Sequence, residues 1–411
     1  MGTVFVVFTF FCVVSAINIK NNACPSLFLY PVAGFSSKCY VNPDVSSNVG
    51  EMVKRRGYDI VTHTVVTHDG YILNLFEIFN ATQENKNFTV FIQHGILVNS
   101  GVWVNGGPRS LAFYFADLGY RVWLGNVRGT LYSNKHVNLT INDPKFWDFN
   151  LDTLAAVDIR TMLTFIAKTT RQKIHYIGHS MGTTVGLMFL ASSGQEGAKL
   201  LQSVSLMSPV VYINNLKKLE PSIIPAYLTG KIFNLFHVNG FLYHENAVHR
   251  IFTSICKLIP HVCYQLLITV GFGKTTHFSS DDLLLYFNNW PGGISFYQIQ
   301  HYVQIMNSKM FQKFDYGAAR NLQEYGSEKP PVYDLSKIKL PVCLFYGKND
   351  VYYGEENIDR LYGEIGSNHK CRYSIPVGQR DYYNHIDFMF GNSLREDVYP
   401  ILAETLTNAE M

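Results

Sequence analysis

Short apolar runs alternate with helical patterns along most of this 411-residue chain, and this alternation limits the folds that the chain can adopt. Helical periodicity is found over 110–117, over 151–168 and after Ser180, in each case between two apolar runs. The apolar runs, which we expect to be buried strands, span 88–93, 121–124, 174–177, 203–207 and 341–346. Strands that alternate with helices form βαβ units. The sequence therefore predicts the α/β class, with a mostly parallel central sheet flanked by helices.

The alternation is interrupted between residues 211 and 309. Prolines break this region at four positions, and the stretches between them are rich in Phe, Leu, Ile and Tyr and have a helical pattern. Strands and helices alternate again afterwards, so we interpret 211–309 as an inserted helical cap. The core then comprises residues 46–210 and 310–411, and residues 17–45 form a leader rich in Pro, Ser and Asn.

The N-terminus predicts passage through the secretory pathway. An apolar stretch that is too short to span a bilayer ends in small residues that match a cleavage site, so residues 1–16 are interpreted as a signal peptide. Three sequons agree with secretion and make Asn80, Asn87 and Asn138 candidates for glycosylation. No other stretch reaches membrane-spanning length without charge or proline, so no transmembrane segment is expected in the mature protein.

Secretion also permits disulfides. Cys24 and Cys39 are close in the sequence, as are Cys256 and Cys263, and each pair is a candidate for a local bridge, although spacing does not fix the connectivity. Cys343 lies in a predicted strand, where a buried thiol and a bridge to Cys371 are equally compatible with the sequence. No Cys/His spacing resembles a zinc site, so we expect neither a metal nor another cofactor.

Residues 178–182 have the sequence Gly-His-Ser-Met-Gly and lie between a predicted strand and a predicted helix. A serine flanked by glycines at this spacing can occupy a strained strand-to-helix turn, because larger residues at 178 and 182 would collide with the strand or the helix. The turn exposes the serine hydroxyl at a helix N-terminus, where backbone N–H groups stabilise negative charge. Ser180 is therefore the candidate nucleophile, and the pattern favours the α/β-hydrolase fold.

A nucleophilic serine needs a base, and the base needs an orienting carboxylate. In the α/β-hydrolase fold the acid and then the histidine follow the serine along the chain, and ligands bind outside the carboxyl ends of the strands. Asp350 is the acid candidate that directly follows the strand 341–346. His385 follows the last predicted strand, whereas His369 precedes it and lies at the opposite end of the sheet. We therefore expect a Ser180–Asp350–His385 triad with His385 as general base.

The negative charge of a tetrahedral intermediate needs backbone N–H donors. We expect one donor from Met181, which follows the nucleophile, and one from Ile96 in the loop after strand 88–93. His94 lies in the same loop and precedes Ser180 in the chain, so we expect it to shape the loop.

Several segments of the chain together resemble the acid lipase family of gastric and lysosomal lipases and the similar secreted lipases of insects. The resemblance extends from about residue 49 to the C-terminus and rests on the segments 93–96 (QHGI), 110–113 (SLAF), 120–129 (YRVWLGNVRG), 146–149 (FWDF), 175–184 (HYIGHSMGTT) and 384–388 (NHIDF). It implies the triad and oxyanion donors named above, a helical cap with a mobile lid, and a cap disulfide near Cys256 and Cys263. The family usually has Gln where this chain has Met181, and its acid motif differs at Val351.

By this resemblance, the chain is expected to be a secreted or lysosomal serine lipase that hydrolyses carboxylic esters of neutral lipids, triacylglycerols or steryl esters, through an acyl-enzyme on Ser180. The expected partners are the lipid ester and the lipid–water interface. The net charge of +3 is too balanced to indicate nucleic acid. A carboxylesterase for smaller soluble esters is the alternative. A non-catalytic lipid-binding protein on the same scaffold is less favoured, because all three triad residues are present.

Overall fold

A mixed β-sheet lies at the centre of the protein. The computed structural model describes residues 21–83, 88–213, 239–244, 247–266, 268, 272–273, 275–378 and 382–409. In this part of the chain nine strands form the sheet, in the order β1-β2-β4-β3-β6-β7-β10-β11 with β5 beside β2. They are β1 (Asp59–Val66), β2 (Tyr71–Phe79), β3 (Thr89–Gln93), β4 (Arg121–Gly125), β5 (Lys135–His136), β6 (Ile174–His179), β7 (Leu201–Met207), β10 (Val342–Tyr346) and β11 (Lys370–Ser374), and the short strands β8 (Gly240–Phe241) and β9 (Ile294–Ser295) pair separately.

Helices cover the sheet and form most of the described connection between β7 and β10. The longer ones are α1 (Val49–Arg55), α2 (Leu111–Asp117), α4 (Arg160–Thr170), α5 (Met181–Leu200), α6 (Ala247–Leu258), α7 (Pro260–Leu266), α8 (Leu283–Asn289), α9 (Phe296–Ser308), α10 (Ala318–Tyr325), α11 (Glu355–Glu364) and α14 (Tyr399–Asn408). The short ones are α3 (Leu151–Thr153), α12 (Asp387–Phe390) and α13 (Leu394–Asp397).

The inner strands are parallel and buried on both faces. Every residue of β3, β6 and β10 is buried, which explains why these segments have continuous apolar runs rather than an alternating pattern. At one edge, β1 pairs antiparallel with β2, and most side chains of β1 are exposed or half-buried. The predicted α/β class, with a mostly parallel sheet flanked by helices, is confirmed.

The helix predicted over 151–168 contains a π-helical turn, Leu154–Ile159, between α3 and α4. This turn includes Asp158, a fully buried carboxylate that accepts hydrogen bonds from the backbone N–H and the guanidinium of Arg128. Periodicity alone could not indicate this wider turn, because the turn accompanies the buried ion pair between Asp158 and Arg128, which are distant in the sequence.

The predicted cap is described in part. Between 239 and 309 it contains α6, α7, α8 and α9, while 214–238 lies outside the described residues, as do the predicted signal peptide and Asn87. The division of the chain into core and cap remains an interpretation of the sequence.

Three disulfides join described cysteines: Cys24 with Cys39, Cys256 with Cys263, and Cys343 with Cys371. The third links residues that are directly opposite in the parallel strands β10 and β11. The sequence leaves open whether Cys343 is a buried thiol or bridged to Cys371. In the structure, the two cysteines are bridged.

Candidate active site

The turn between β6 and α5 holds Ser180 in a strained conformation. Its φ of 54° and ψ of −118° lie outside the regions that non-glycine residues usually occupy. The flanking glycines are required by close packing. A Cβ on Gly182 would lie 2.5 Å from the carbonyl oxygen of Gln93, and one on Gly178 would lie 2.7 Å from the backbone of Gly182. The turn therefore places the Ser180 side chain directly beside the end of β3.

The structure brings Ser180, His385 and Asp350 together in one hydrogen-bonded chain. His385 Nε2 lies 2.7 Å from Ser180 Oγ, and His385 Nδ1 lies 2.7 Å from Asp350 Oδ2. All three residues are buried. Because the carboxylate can only accept, Nδ1 carries the proton and Nε2 is left as the acceptor for the serine hydroxyl. This arrangement suits proton removal from Ser180.

Ser208 holds the carboxylate of Asp350 in place. Its hydroxyl donates to Asp350 Oδ2 at 3.0 Å, and the backbone N–H of Tyr352 donates to Oδ1 at 2.9 Å. Ser208 is not among the residues predicted for this site. The signal was available, because Ser208 follows β7, and the carboxyl ends of parallel neighbouring strands meet at one edge of the sheet.

His385 is fixed from several sides. The Nε2–H of the buried His179 donates to the carbonyl oxygen of His385 at 3.0 Å. Burial lowers the pKa of His179 to about 3, so this side chain is a neutral donor at ordinary pH. The rings of Tyr352 and Phe272 lie 4.5 Å and 6.1 Å from the His385 ring between centroids. These contacts limit the orientations open to the imidazole.

The loop after β3 lies against the serine turn. A Cβ on Gly95 would be 3.0 Å from the Cβ of Ser180. His94 spans this loop, since its Nδ1–H donates to the carbonyl oxygen of Gly95 at 2.7 Å and its Nε2 accepts from Val127 N–H at 3.4 Å. Burial lowers its pKa to about 4, which agrees with a neutral ring that both donates and accepts. These contacts support the shaping role expected for His94.

Ile96 and Met181, the two expected oxyanion donors, flank Ser180 from this loop and from the first turn of α5. Among the described residues, neither backbone N–H donates to another protein group. Met181 is buried, and its Sδ accepts a hydrogen bond from Gln298 Nε2 at 3.2 Å. Gln298 on α9 therefore contacts the side chain of Met181, the position at which the resemblance implies Gln.

An apolar cavity of about 270 Å³ opens beside Ser180 and His385. Its walls come from the loop after β3, from the helices between β7 and β10, and from the segments that follow β10 and β11. The lining side chains are mostly aromatic and aliphatic, such as Tyr264, Phe287, Trp290, Tyr352 and Phe390. A cavity with this lining favours an apolar ligand held next to the serine hydroxyl.

The structure also describes two of the candidate glycosylation sites, and its described residues bear on metal binding and on membrane spans. Asn138 is exposed, whereas Asn80 is half-buried and donates to Asp117 at 3.3 Å. No cluster of three or more His, Cys, Asp or Glu side chains in the described ranges is arranged to hold a metal ion. None of the described helices is long and apolar enough to cross a membrane.

Comparison with known proteins gives matches along most of the chain. Residues 49–107 match the family described as partial alpha/beta-hydrolase lipase region, and residues 89–257 match the family described as alpha/beta hydrolase fold. Gastric triacylglycerol lipase of Bos taurus is 32% identical over 89% of this chain and 92% of its own, and that of Rattus norvegicus is 33% identical over 87% and 91%.

Lipase member K of Homo sapiens is 30% identical over 92% of this chain and 95% of its own. Among solved structures, DcsB in complex with its substrate analogue aligns with a TM-score of 0.50 at 12% identity, over 85% of this chain and all of that one. This structural likeness concerns the fold alone.

Proposed function

This chain belongs to the acid lipase family of the α/β-hydrolase fold and is a lipase-type ester hydrolase, and we propose that it cleaves triacylglycerols or steryl esters through an acyl-enzyme on Ser180. The observation that carries the proposal is the chain of 2.7 Å contacts from Ser180 through His385 to Asp350, set beside an apolar cavity. The gastric triacylglycerol lipases give the substrate class, and the predicted signal peptide supports secretion or lysosomal delivery.

Acylation begins when Ser180 Oγ attacks the ester carbonyl carbon. His385 Nε2 takes the hydroxyl proton as the new C–O bond forms, and Asp350 remains ionised and stabilises the resulting imidazolium. The short distances in this chain mean that no side chain has to move before the proton is transferred.

The carbonyl oxygen becomes an oxyanion in the tetrahedral intermediate. The N–H groups of Ile96 and Met181 border Ser180 and donate to no other described protein group, so they are available to this charge. The strained turn holds the Met181 N–H at the start of α5, where the helix dipole adds to the stabilisation.

Collapse of the intermediate breaks the bond to the alcohol, which takes the proton from His385 as it leaves. Water then attacks the acyl-enzyme with His385 again as base, releases the fatty acid and restores Ser180. The apolar cavity gives the acyl chain a site next to the reacting carbon. This lining favours lipid esters over the small soluble esters of a carboxylesterase.

The nucleophile is tested with Ser180→Ala. We expect the rate of hydrolysis of emulsified triolein to fall by about 10⁴-fold or more, because the attacking atom is removed while the fold is kept. Labelling by a serine-directed phosphonate should also be lost. The control is Ser193→Ala, which alters a serine on α5 that contacts Arg160. It should retain both triolein hydrolysis and phosphonate labelling. Undiminished turnover or labelling of Ser180→Ala would contradict the assignment.

Assays with esters of increasing acyl-chain length distinguish a lipase from a carboxylesterase. Esters from butyrate to oleate are assayed below and above the concentration at which they aggregate. A lipase should turn over the long esters faster once aggregates form. Equal or higher rates on dissolved butyrate would favour the esterase.

A further inference from the structure

The leader has an inner and an outer side. Between Cys24 and Cys39 the 3₁₀-helical segment Leu27–Phe35 buries Tyr30 and Ala33, and the Tyr30 hydroxyl donates to the carbonyl oxygen of Ser280 at 2.6 Å. Its outer side exposes apolar residues at 28, 32 and 35, with Phe28 83% exposed and Phe35 84% exposed. The leader is thus anchored to the protein and presents two phenylalanines to solvent.

A second exposed apolar stripe runs along α6 and continues onto α7. Ile251, Ile255, Leu258 and Val262 are spaced by four, three and four residues, and all are exposed. This spacing places Ile251, Ile255 and Leu258 on one side of α6, and Val262 is exposed on the following α7. The other side is buried, with Cys256 and Cys263 joined beneath it. The apolar part of these helices is therefore only half covered by the protein.

The two surfaces adjoin each other and the cavity wall. The ring of Phe28 lies 6.5 Å from that of His261, next to Val262. On the buried side, Phe252 packs edge-on against Trp290 at 5.3 Å between centroids, and both Trp290 and Tyr264 line the cavity beside Ser180. Thus α7 lines the cavity through Tyr264 and α6 packs behind the wall through Phe252, while both helices also have a side in solvent.

The charged residues within these two segments are all basic, and the acidic residues next to the leader are Asp281 and Asp282, near Tyr30 and Tyr40. Neither 21–40 nor 247–266 contains an Asp or Glu, while Lys38 and Arg250 supply cations, in a protein with 31 acidic residues. An exposed apolar patch beside cations is typical of segments that bind at an anionic lipid surface. A second copy of this chain would bring like charges together, which disfavours that occupant.

We propose that Phe28, Val32 and Phe35 of the leader, together with Ile251, Ile255, Leu258 and Val262, form a docking face for the surface of a lipid aggregate that carries anionic groups. We refer to these seven residues as the leader–helix face. The proposal rests on the proposed function, because a water-insoluble ester must be reached at such a surface. Docking by this face would hold α7, which lines the cavity through Tyr264, and the neighbouring α6 against the lipid.

Binding is measured by co-sedimentation of the full chain, in the Ser180→Ala background, with phosphatidylcholine vesicles with or without about 30% phosphatidylglycerol. Phe28→Ser/Phe35→Ser and Ile251→Ser/Ile255→Ser should each weaken partitioning by about tenfold or more, because the inserted apolar area is lost. The anionic lipid should strengthen binding of the unmodified face. Val137→Ser/Val332→Ser, which alters residues with similar exposure on other segments, is the control and should bind normally.

Hydrolysis of dissolved p-nitrophenyl butyrate, with Ser180 intact, separates docking from catalysis. The two face variants should keep this activity and lose hydrolysis of emulsified triolein. Equal vesicle binding by face and control variants would overturn the proposal, as would a face that instead drives self-association in sedimentation velocity. Vesicle binding without any ester hydrolysis by the unmodified chain would uphold the docking face and contradict the proposed function.

Discussion

At the scale of single residues, Met181 shows how a backbone role tolerates a change of side chain. Its N–H faces the serine turn, while its thioether points to Gln298 in the interior. A sulfur acceptor binds an amide N–H more weakly than an oxygen does. The side chain therefore affects packing between α5 and α9, whereas the expected oxyanion contact depends on the backbone.

The Met181→Gln substitution tests this separation of roles. Gln has a similar volume and its amide can pair with that of Gln298, so we expect the rate of triolein hydrolysis to stay within about threefold and the melting temperature to be unchanged or slightly higher. Activity and thermal unfolding are measured side by side. Met181→Ala, which leaves a buried cavity, should lower the melting temperature. A hundredfold loss of activity in Met181→Gln would show that the side chain takes part in the site.

The triad residues could be predicted because each follows a strand, and strand ends can be located from the sequence. Ser208 also follows a strand, but its pairing with Asp350 depends on β7 and β10 being neighbours in the sheet. Gln298 lies within a helix, more than one hundred residues from its partner Met181. Nothing in local periodicity indicates such pairs. They depend on strand neighbours and on helix packing, which only the folded chain defines.

At the scale of elements, the strand-to-helix turn is the most tightly packed connection of the site. Gly182→Ala would bring a Cβ to within 2.5 Å of the Gln93 carbonyl, so β3 or α5 must shift. We expect a loss of roughly 2–4 kcal/mol in the free energy of unfolding, together with reduced activity, because the loop that carries Ile96 follows Gln93. Denaturant titration and triolein hydrolysis measure the two effects.

Gly363→Ala is the matched control for this substitution. Gly363 lies in α11, and a Cβ added there would meet no atom within 4 Å, so alanine should leave the protein as stable or slightly more stable. Equal stability of the two variants would contradict the packing argument at the turn.

The inner strands were predictable at this scale because burial on both faces gives continuous apolar runs, whereas the π-helical turn at Leu154–Ile159 has no such signature.

At the scale of the whole molecule, buried histidines link stability to pH. Burial lowers the pKa of His94 to about 4 and that of His179 to about 3, whereas a histidine in the unfolded chain has a pKa of about 6.5. Between these limits the unfolded state binds protons that the folded state does not. The free energy of unfolding should therefore fall as the pH is lowered from about 6.5 towards 4, by about 1.4 kcal/mol per pH unit for each histidine.

Unfolding by denaturant at a series of pH values measures this slope. The His94→Gln variant removes one titrating group, so its stability should depend less steeply on pH than that of the unmodified chain in this window. His369→Gln, altered in the loop before β11, is the comparison and should keep the full slope. Parallel profiles for the unmodified chain and His94→Gln would rule out His94 as a source of the dependence.

The order of the strands has a consequence for how such a protein can be altered by recombination. β7 and β10 are adjacent and parallel, although the chain between them contains the helices that wall the cavity. A chimera that exchanges this whole connection with a relative would leave the strand order intact. Ser180, Asp350 and His385 would all come from the recipient. Because Ser208 at the start of the connection holds Asp350, a junction placed after Ser208 would transplant the helical part of the cavity wall, while the recipient keeps its reaction centre and the lining that follows β3, β10 and β11.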